Sequence, residues 1–349
     1  MTNKDIDNTS QLTPKIAPNV APNLNAPFKD NSTYTAVMQN RAVNDIARLN
    51  SKRGTSDIAQ QLIKSGDITA AISNEKTGRR FTPTQTMIFD YILSHHAANS
   101  SANSAIVSFT VSQYMTDRGL TDPKSARKQL DSALSTFTGT TLEYGGDKQK
   151  GPKHIDAFTS LNIVAMATRD RSQVVVEFTR PFNEIITAKG MLMPYPMAAF
   201  KIDMRHNPQA WGIVRKAIEN KRINYGKPNA DRIKISTLLK SLTDLPTYEE
   251  VRNTNRAYFT RIIEPVLRDL GETPQIQEIF AYAFEGPDGQ PLSYDSFYNA
   301  NLDYETFANS TLVITNWIGY PDTDVAGWKD TQQKSIEQAK KRRKKANPN

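Results

Sequence analysis

Apolar residues return every three to four positions between Val251 and Leu270. At 100° per step, Val251, Phe259, Ile262, Ile263, Val266 and Leu270 fall on one side, which predicts a helix seated by one face on a core. Its opening, Thr247-Tyr248-Glu249-Glu250, is a capping box in which hydroxyl and carboxylate satisfy each other's orphan backbone donors. A shorter helix precedes it, capped by Ser236 and carrying Leu238, Leu239 and Leu242, so Ile233 to Leu270 has helix-turn-helix spacing. Pro265 lies inside the pattern without a donor for the carbonyl of Arg261 and predicts a kink or break there.

A similar series occurs earlier. Thr82-Pro83-Thr84-Gln85 is a capping box with Pro at the first helical position, and Met87, Ile88, Tyr91 and Ile92 line one face of the helix it opens. Ile106 to Phe109 predicts a short strand, Thr110 to Gln113 caps a helix that stops at Gly119, and Asp122-Pro123 opens another with Leu130, Leu134 and Phe137 inward. Strands at 140–144, 163–168 and 173–178 follow, the last two joined by the Arg169 to Ser172 turn. Helix, strand, helix, helix, hairpin is the order of a winged helix. The caps at 82, 110 and 122 recur at 207, 236 and 247, where Asn207-Pro208 opens a helix carrying Trp211, Val214 and Ile218. Ile276 to Phe284 and Leu312 to Thr315 then predict strands, separated by the Gly286 to Gly289 turn and an acidic insertion.

The expected fold class is therefore α+β, with two tandem winged-helix domains at 75–190 and 191–328. Residues 1–30, with Pro14, Pro18, Pro22 and Pro27 among many Asn and Thr, read as a disordered arm. Residues 31–74 read as a helical extension, and 329–349 as a disordered basic tail.

Charge adds a direction to this frame. Net charge is +5 over residues 1–200, +7 over 201–268, −10 over 269–330 and +6 over 331–349. Basic surfaces attract polyanions through counterion release, which makes nucleic acid the first partner to consider, although a cationic tail can also be merely solubilising. No apolar run approaches the ~20 residues that span a membrane, and the start has no secretory apolar region, so a soluble cytoplasmic protein is expected. Absence of cysteine excludes thiolate zinc fingers. There is no P-loop, and His95, His96, His154 and His206 form no His-x-His pair. His95-His96, close to a helix end, reads as a polar cap. Asp322 and Asp324 sit in a Pro-flanked segment where turn chemistry accounts for them. A binding protein rather than an enzyme is expected, with no metal and no cofactor.

The side of each long helix away from its apolar stripe supplies the candidate DNA contacts. In the first unit these are Lys124, Lys128 and Ser132, with Arg127 flanking; in the second they are Asn253, Arg256 and Thr260 toward base edges and Arg252 and Arg261 toward phosphate. Lys340, Lys341, Arg342 and Arg343 belong to a cationic run suited to sequence-independent phosphate binding. The same charges would also suit a solvated helix face, and Arg256 or Arg261 could pair with Glu249 or Glu264 on its own helix.

The tandem arrangement resembles the iteron-binding replication initiators of theta-replicating plasmids. The resemblance covers roughly residues 75 to 320 and rests on Phe81 to Met87, on Pro123 to Phe137 with its hairpin, and on Ile235 to Leu270. It implies recognition of repeated double-stranded DNA sites at an origin, help in opening that origin, and a host initiator ATPase and replicative helicase as partners. Homodimers that repress their own promoter belong to the same pattern. The acidic insertion and long tails depart from its simplest form. A tandem winged-helix transcriptional repressor or another DNA-binding plasmid maintenance protein would share these features. A primase or nickase would need a metal-dependent activity involving Asp322 or His154.

Overall fold

A computed structural model of the chain describes residues 28, 33–39, 43–44, 60–65, 68–74, 81–99, 104–147, 156–188, 191–242, 244–254, 257–297 and 303–331. The architecture is mixed α+β. The stretch expected to be a helical extension is helical at residues 43–44 but otherwise contributes strands among its described residues: β1 (Tyr34–Gln39), β2 (Gln60–Ser65) and β3 (Ile68–Asn74). Short apolar runs fit either period, and here Thr35, Val37, Ile63, Ile68, Thr69 and Ile72 supply the β-branched content that favours strands.

The first repeated unit is α1 (Pro83–Ala98), β4 (Ile106–Thr110), α2 (Val111–Arg118), α3 (Pro123–Thr138), then β5 (Thr140–Asp147), β6 (Asp156–Asn162), β7 (Val164–Arg169) and β8 (Gln173–Phe178). Strands β4, β8 and β7 form one antiparallel sheet in that order. Strand β5 is longer than expected and pairs with β6, a strand absent from the sequence reading. The β2–β3 hairpin adds to this pair, giving the order β2-β3-β5-β6.

After α4 (Arg180–Ala188), strand β9 (Met191–Pro196) pairs antiparallel with β1, from Tyr34 opposite Pro196 to Gln39 opposite Met191. A 3-10 turn, Met197–Lys201, leads to the second unit: α5 (Ala210–Ile223), β10 (Arg232–Lys234), α6 (Ile235–Leu239), α7 (Tyr248–Thr254), a π-helical turn Phe259–Ile263, α8 (Glu264–Glu272), α9 (Pro274–Ile279), β11 (Phe280–Glu285), β12 (Pro291–Leu292), α10 (Tyr304–Asn309) and β13 (Thr311–Trp317). Its sheet runs β10-β13-β11-β12. Helix starts at 83, 111 and 123 thus recur at 210, 235 and 248. In both sheets the strand after the first helix pairs with the unit's last strand, which pairs in turn with an earlier strand of the unit, β7 in the first and β11 in the second.

Several expected boundaries shift for local reasons. Helix α5 starts at 210 rather than at the Asn207-Pro208 cap. Its N-cap is Gln209, whose side chain caps nothing; Asp269 of α8 instead accepts from the Gln209 N–H at 2.6 Å. A tertiary carboxylate therefore does the capping, which no local pattern announces. Ser236 lies within α6, whose N-cap is Lys234. Residues 274–279 are helical because Thr273-Pro274 provides a helix start, and the strand begins only at Phe280. The break expected near Pro265 takes the form of a π turn, in which the N–H of Glu264 reaches the carbonyl of Phe259.

The terminal segments also depart from expectation. Phe28, within the proposed arm, is buried and lies 5.2 Å from the ring of Trp328. Residues 322–331 are helical, so 329–331 are not a disordered tail; Lys329 donates to the carbonyl of Tyr225 at 3.1 Å. Tyr34, Ala36, Tyr320 and Val325 complete this small apolar cluster, which joins the two ends of the described chain.

Helix α1 sits at the centre. The sequence stripe marked one face, but Phe89, Asp90, Leu93, Ser94, His95 and His96 are buried as well, because β1, β4, α3 and α5 surround the helix. The His95 ring is stacked on Phe109 at 4.9 Å and edge-on to Tyr91 at 4.7 Å, with neither nitrogen hydrogen-bonded. His96 Nε2 lies 2.8 Å from Asn183 Oδ1. Both rings are interior groups rather than polar caps.

Burial lowers the His95 pKa from 6.5 to about 3. The unfolded chain takes up this proton near pH 6.5 while the folded one does not, so the stability is complete above that pH and is lost as pH falls toward 3. The loss amounts to about 1.4 kcal/mol per pH unit. His95→Phe is expected to remove that slope, read as a smaller fall in urea-unfolding free energy between pH 7 and pH 5 than in the wild type. An unchanged slope would place the acid sensitivity elsewhere.

Candidate nucleic-acid interface

In the first unit, Gly119 closes α2 in the left-handed conformation, φ 64°, and the Leu120 N–H returns to the carbonyl of Met115 at 2.8 Å. Asp122 then caps α3, accepting from the N–H groups of Lys124 and Ser125, both at 3.0 Å. Ala126, Leu130, Ala133, Leu134 and Phe137 are buried, and Phe137 packs on Phe81 at 5.2 Å and on Phe89 at 5.4 Å. With that side committed, Lys124, Arg127, Lys128, Asp131, Ser132 and Ser135 are exposed.

Two neighbours modify this face. Gln85 donates to Ser132 Oγ at 3.1 Å and to Thr136 Oγ1 at 2.9 Å, so the Ser132 hydroxyl is already engaged with α1. Asp131 is gripped by Arg169, which lies at the end of β7, through Nε at 2.5 Å and Nη2 at 2.7 Å. That fork neutralises the one acid of the face and ties the β7–β8 turn to α3. Asp170 shapes the turn by accepting from the N–H groups of Ser172 at 2.7 Å and Gln173 at 2.6 Å. These bonds hold its carboxyl below the usual range. Arg171 stands exposed at the tip. Arg169 and Arg171 were missed as site candidates; the Arg-Asp-Arg-Ser turn was the available signal.

In the second unit the capping box at Thr247 forms as expected: Thr247 N–H donates to Glu250 at 2.7 Å, and Glu250 N–H to Thr247 Oγ1 at 3.3 Å. Val251, Ile262, Ile263, Val266 and Leu270 are buried and Phe259 is half-buried, while Arg252, Asn253, Thr260 and Arg261 are exposed. Thr260 Oγ1 donates to the Ala257 carbonyl at 3.3 Å. Arg256 and the cations Lys340, Lys341, Arg342 and Arg343 lie outside the described residues. Lys234 and Lys240 flank α6 and are exposed; they too were missed.

The two faces differ electrostatically. Helix α3 opens on Lys124, whereas α7 opens on exposed Glu249 and Glu250, which complement its dipole but would repel phosphate. The insertion reaches the same end: Tyr304 of α10 stacks on Tyr248 at 4.2 Å, with Tyr258 beside both. Contacts from α7 would therefore start beyond its first turn, at Arg252 and Asn253.

Asp322 accepts from the Tyr225 hydroxyl at 3.0 Å. His206 Nδ1 lies 2.8 Å from Asp203 Oδ2. Among the described residues no three His, Asp or Glu side chains are grouped to hold a metal ion. Among the same residues no helix is long and apolar enough to cross a membrane.

No protein-family profile and no curated protein matches the sequence. Two crystal structures of domains 2 and 3 of RctB are partly similar to the chain. A selenomethionine form has a TM-score of 0.43 and 10% identity, covering 65% of this chain and 84% of that one. The other has a TM-score of 0.46 and 9% identity, covering 81% and 99%.

Proposed function

We propose that this chain is a replication initiator of the iteron-binding kind, in which two winged-helix units bind repeated double-stranded sites at an origin. The observation that carries the reading is the repeated unit itself. Each unit turns a polar, cation-bearing side of its third helix to solvent: α3 is seated by an apolar stripe, and α7 by Val251, with the stripe carried on by Ile262, Ile263, Val266 and Leu270 of the π turn and α8.

A helix so mounted can enter the major groove, with Lys124, Arg127 and Lys128 on one groove and Arg252, Asn253 and Thr260 on the next, about 10.5 bp away on the same side of the duplex. The β7–β8 turn, with Arg171 at its tip, is the wing beside the first of these helices. No bond-making chemistry and no cofactor enter this reading; help in opening the origin and the recruitment of host proteins follow from the family resemblance.

The test is binding of the full chain to tiled fragments of its own replicon, at near-physiological salt with excess random competitor. Protection of repeated sites of about 20 bp is the expected result. Binding that is uniform along the DNA and vanishes with salt would refute the two-helix readout. Arg256→Ala is expected to lower affinity for the specific site by about 1–3 kcal/mol and to relax discrimination. An unchanged ratio of specific to random binding would remove Arg256 from base reading.

A further inference from the structure

The first helices of the two units meet through a buried ion pair. Arg215 of α5 donates to Asp90 of α1 through Nε at 2.8 Å and Nη2 at 3.3 Å. The carboxylate side chain is 0% exposed and the guanidinium 6%. The two residues are 125 apart in sequence, which is also the separation between the starts of α3 at Pro123 and α7 at Tyr248. One unit thus supplies the anion and the other the cation at nearly corresponding positions of the repeat.

The connecting strand completes the network. Tyr195 of β9 is hydrogen-bonded to Asp90 and accepts from Trp211 Nε1 at 2.6 Å, while the Arg215 guanidinium lies 6.0 Å from the centre of the Trp211 ring. Asp90, Arg215, Tyr195 and Trp211 therefore tie both first helices and the segment between the units to one another.

Stability is a poor account of this arrangement. Desolvating two charges costs about as much as their attraction returns, and apolar side chains of similar size commonly serve as well. A bidentate fork supplies direction, which apolar contacts lack. Ridge-and-groove packing by itself does not dictate one crossing angle, which differs by about 15–20° from one helix pair to another; at about two packing spacings, ~20 Å, that difference is a displacement of about 5–7 Å. The rise per base pair is only about 3.4 Å. Helix α3 packs on α1, and α8, which packs on the π turn carrying exposed Thr260 and Arg261, packs on α5, so a rotation between α1 and α5 would be carried to both exposed faces.

We infer that the Asp90–Arg215 pair is a positioning device that sets the phase between α3 and the Thr260–Arg261 face ahead of α8, and with it the half-site spacing accepted on one duplex. The spacing statement rests on the two-helix reading above; the phase statement can be measured without DNA.

The full-length chain is compared with Asp90→Leu/Arg215→Met, an apolar replacement of similar volume, after equal helicity and unfolding midpoints are established. Duplexes carry the protected site with its halves moved apart or together by 1 or 2 bp. One base pair rotates a half-site by about 34°, so the wild type is expected to lose at least about tenfold in affinity per step and the double variant less than about threefold. The chain has no cysteine, which allows spin labels at Ser135→Cys on α3 and Glu272→Cys on α8, both exposed. Their distance distribution is expected to be narrow in the wild type and broader in the double variant. An equally steep spacing profile together with an equally narrow distribution in the double variant overturns the inference while leaving two-helix binding intact. A wild type indifferent to spacing overturns the two-helix reading, and the half-site statement with it.

Discussion

Asp90→Ala alone is expected to lower the free energy of unfolding by about 3–5 kcal/mol, because it leaves a buried guanidinium without its carboxylate. Arg215 has little access to water, with 6% of its side chain exposed, and the cavity left by the carboxylate is bounded by Tyr195 and Trp211. Glu219, one turn further along α5, is a poor substitute: it is itself buried and held by Lys216 at 3.5 Å. Urea unfolding read by far-ultraviolet circular dichroism measures the effect. Asp90→Leu/Arg215→Met should recover most of the loss, since it removes the orphaned charge as well as the pair. A single variant as stable as the wild type would show that water or Glu219 reaches Arg215 and that the pair is less dry than its burial implies.

Capping chemistry made much of this fold legible in advance. Thr82, Thr110, Asp122 and Thr247 each accept from backbone donors two or three residues ahead, and the helices start where those patterns place them. Where the cap is not local, the reading slipped. Asp269 caps α5 from sixty residues away, a contact that exists only once α8 has packed. The N-terminal strands failed for a related reason. A six-residue apolar run such as Tyr34–Gln39 fits either period, and the free edge of β9, which decides the matter, is specified some 150 residues later in the chain.

The exposed faces of α3 and α7 followed from helical periodicity, since an apolar stripe that finds a core leaves the opposite residues to solvent. Their partners were harder to foresee. Ser132 looked free on the helix wheel, but Gln85 reaches it from α1. The pair Asp131–Arg169 required knowing that the β7–β8 turn folds back over α3. Charge sign along the sequence also misses that α7 opens on two carboxylates and meets the insertion through Tyr304, so the two units present unlike surfaces on like frames.

That difference makes the α3 cations the more exposed electrostatic handle. Lys124→Ala/Arg127→Ala/Lys128→Ala is expected to weaken binding on the order of 100-fold near 0.15 M salt and to reduce the slope of log K against log salt by about 2.7, if each side chain neutralises one phosphate. All three are exposed, and no hydrogen bond or ion pair of their side chains is seen among the described residues, so folding should be affected by only a few tenths of a kcal/mol. The slope is the informative quantity. A loss of affinity at constant slope would mean that the triple variant disturbed α3 rather than its phosphate contacts, and circular dichroism would detect that. A reduced slope with random DNA weakened as much as the specific site would assign the three cations to backbone positioning, leaving sequence discrimination to Asn253 and Arg256 in the second unit. Loss of discrimination in the same variant would instead require α3 to read bases directly, with Lys124 or Lys128 reaching a base edge beyond the β7–β8 turn that Arg169 holds against α3.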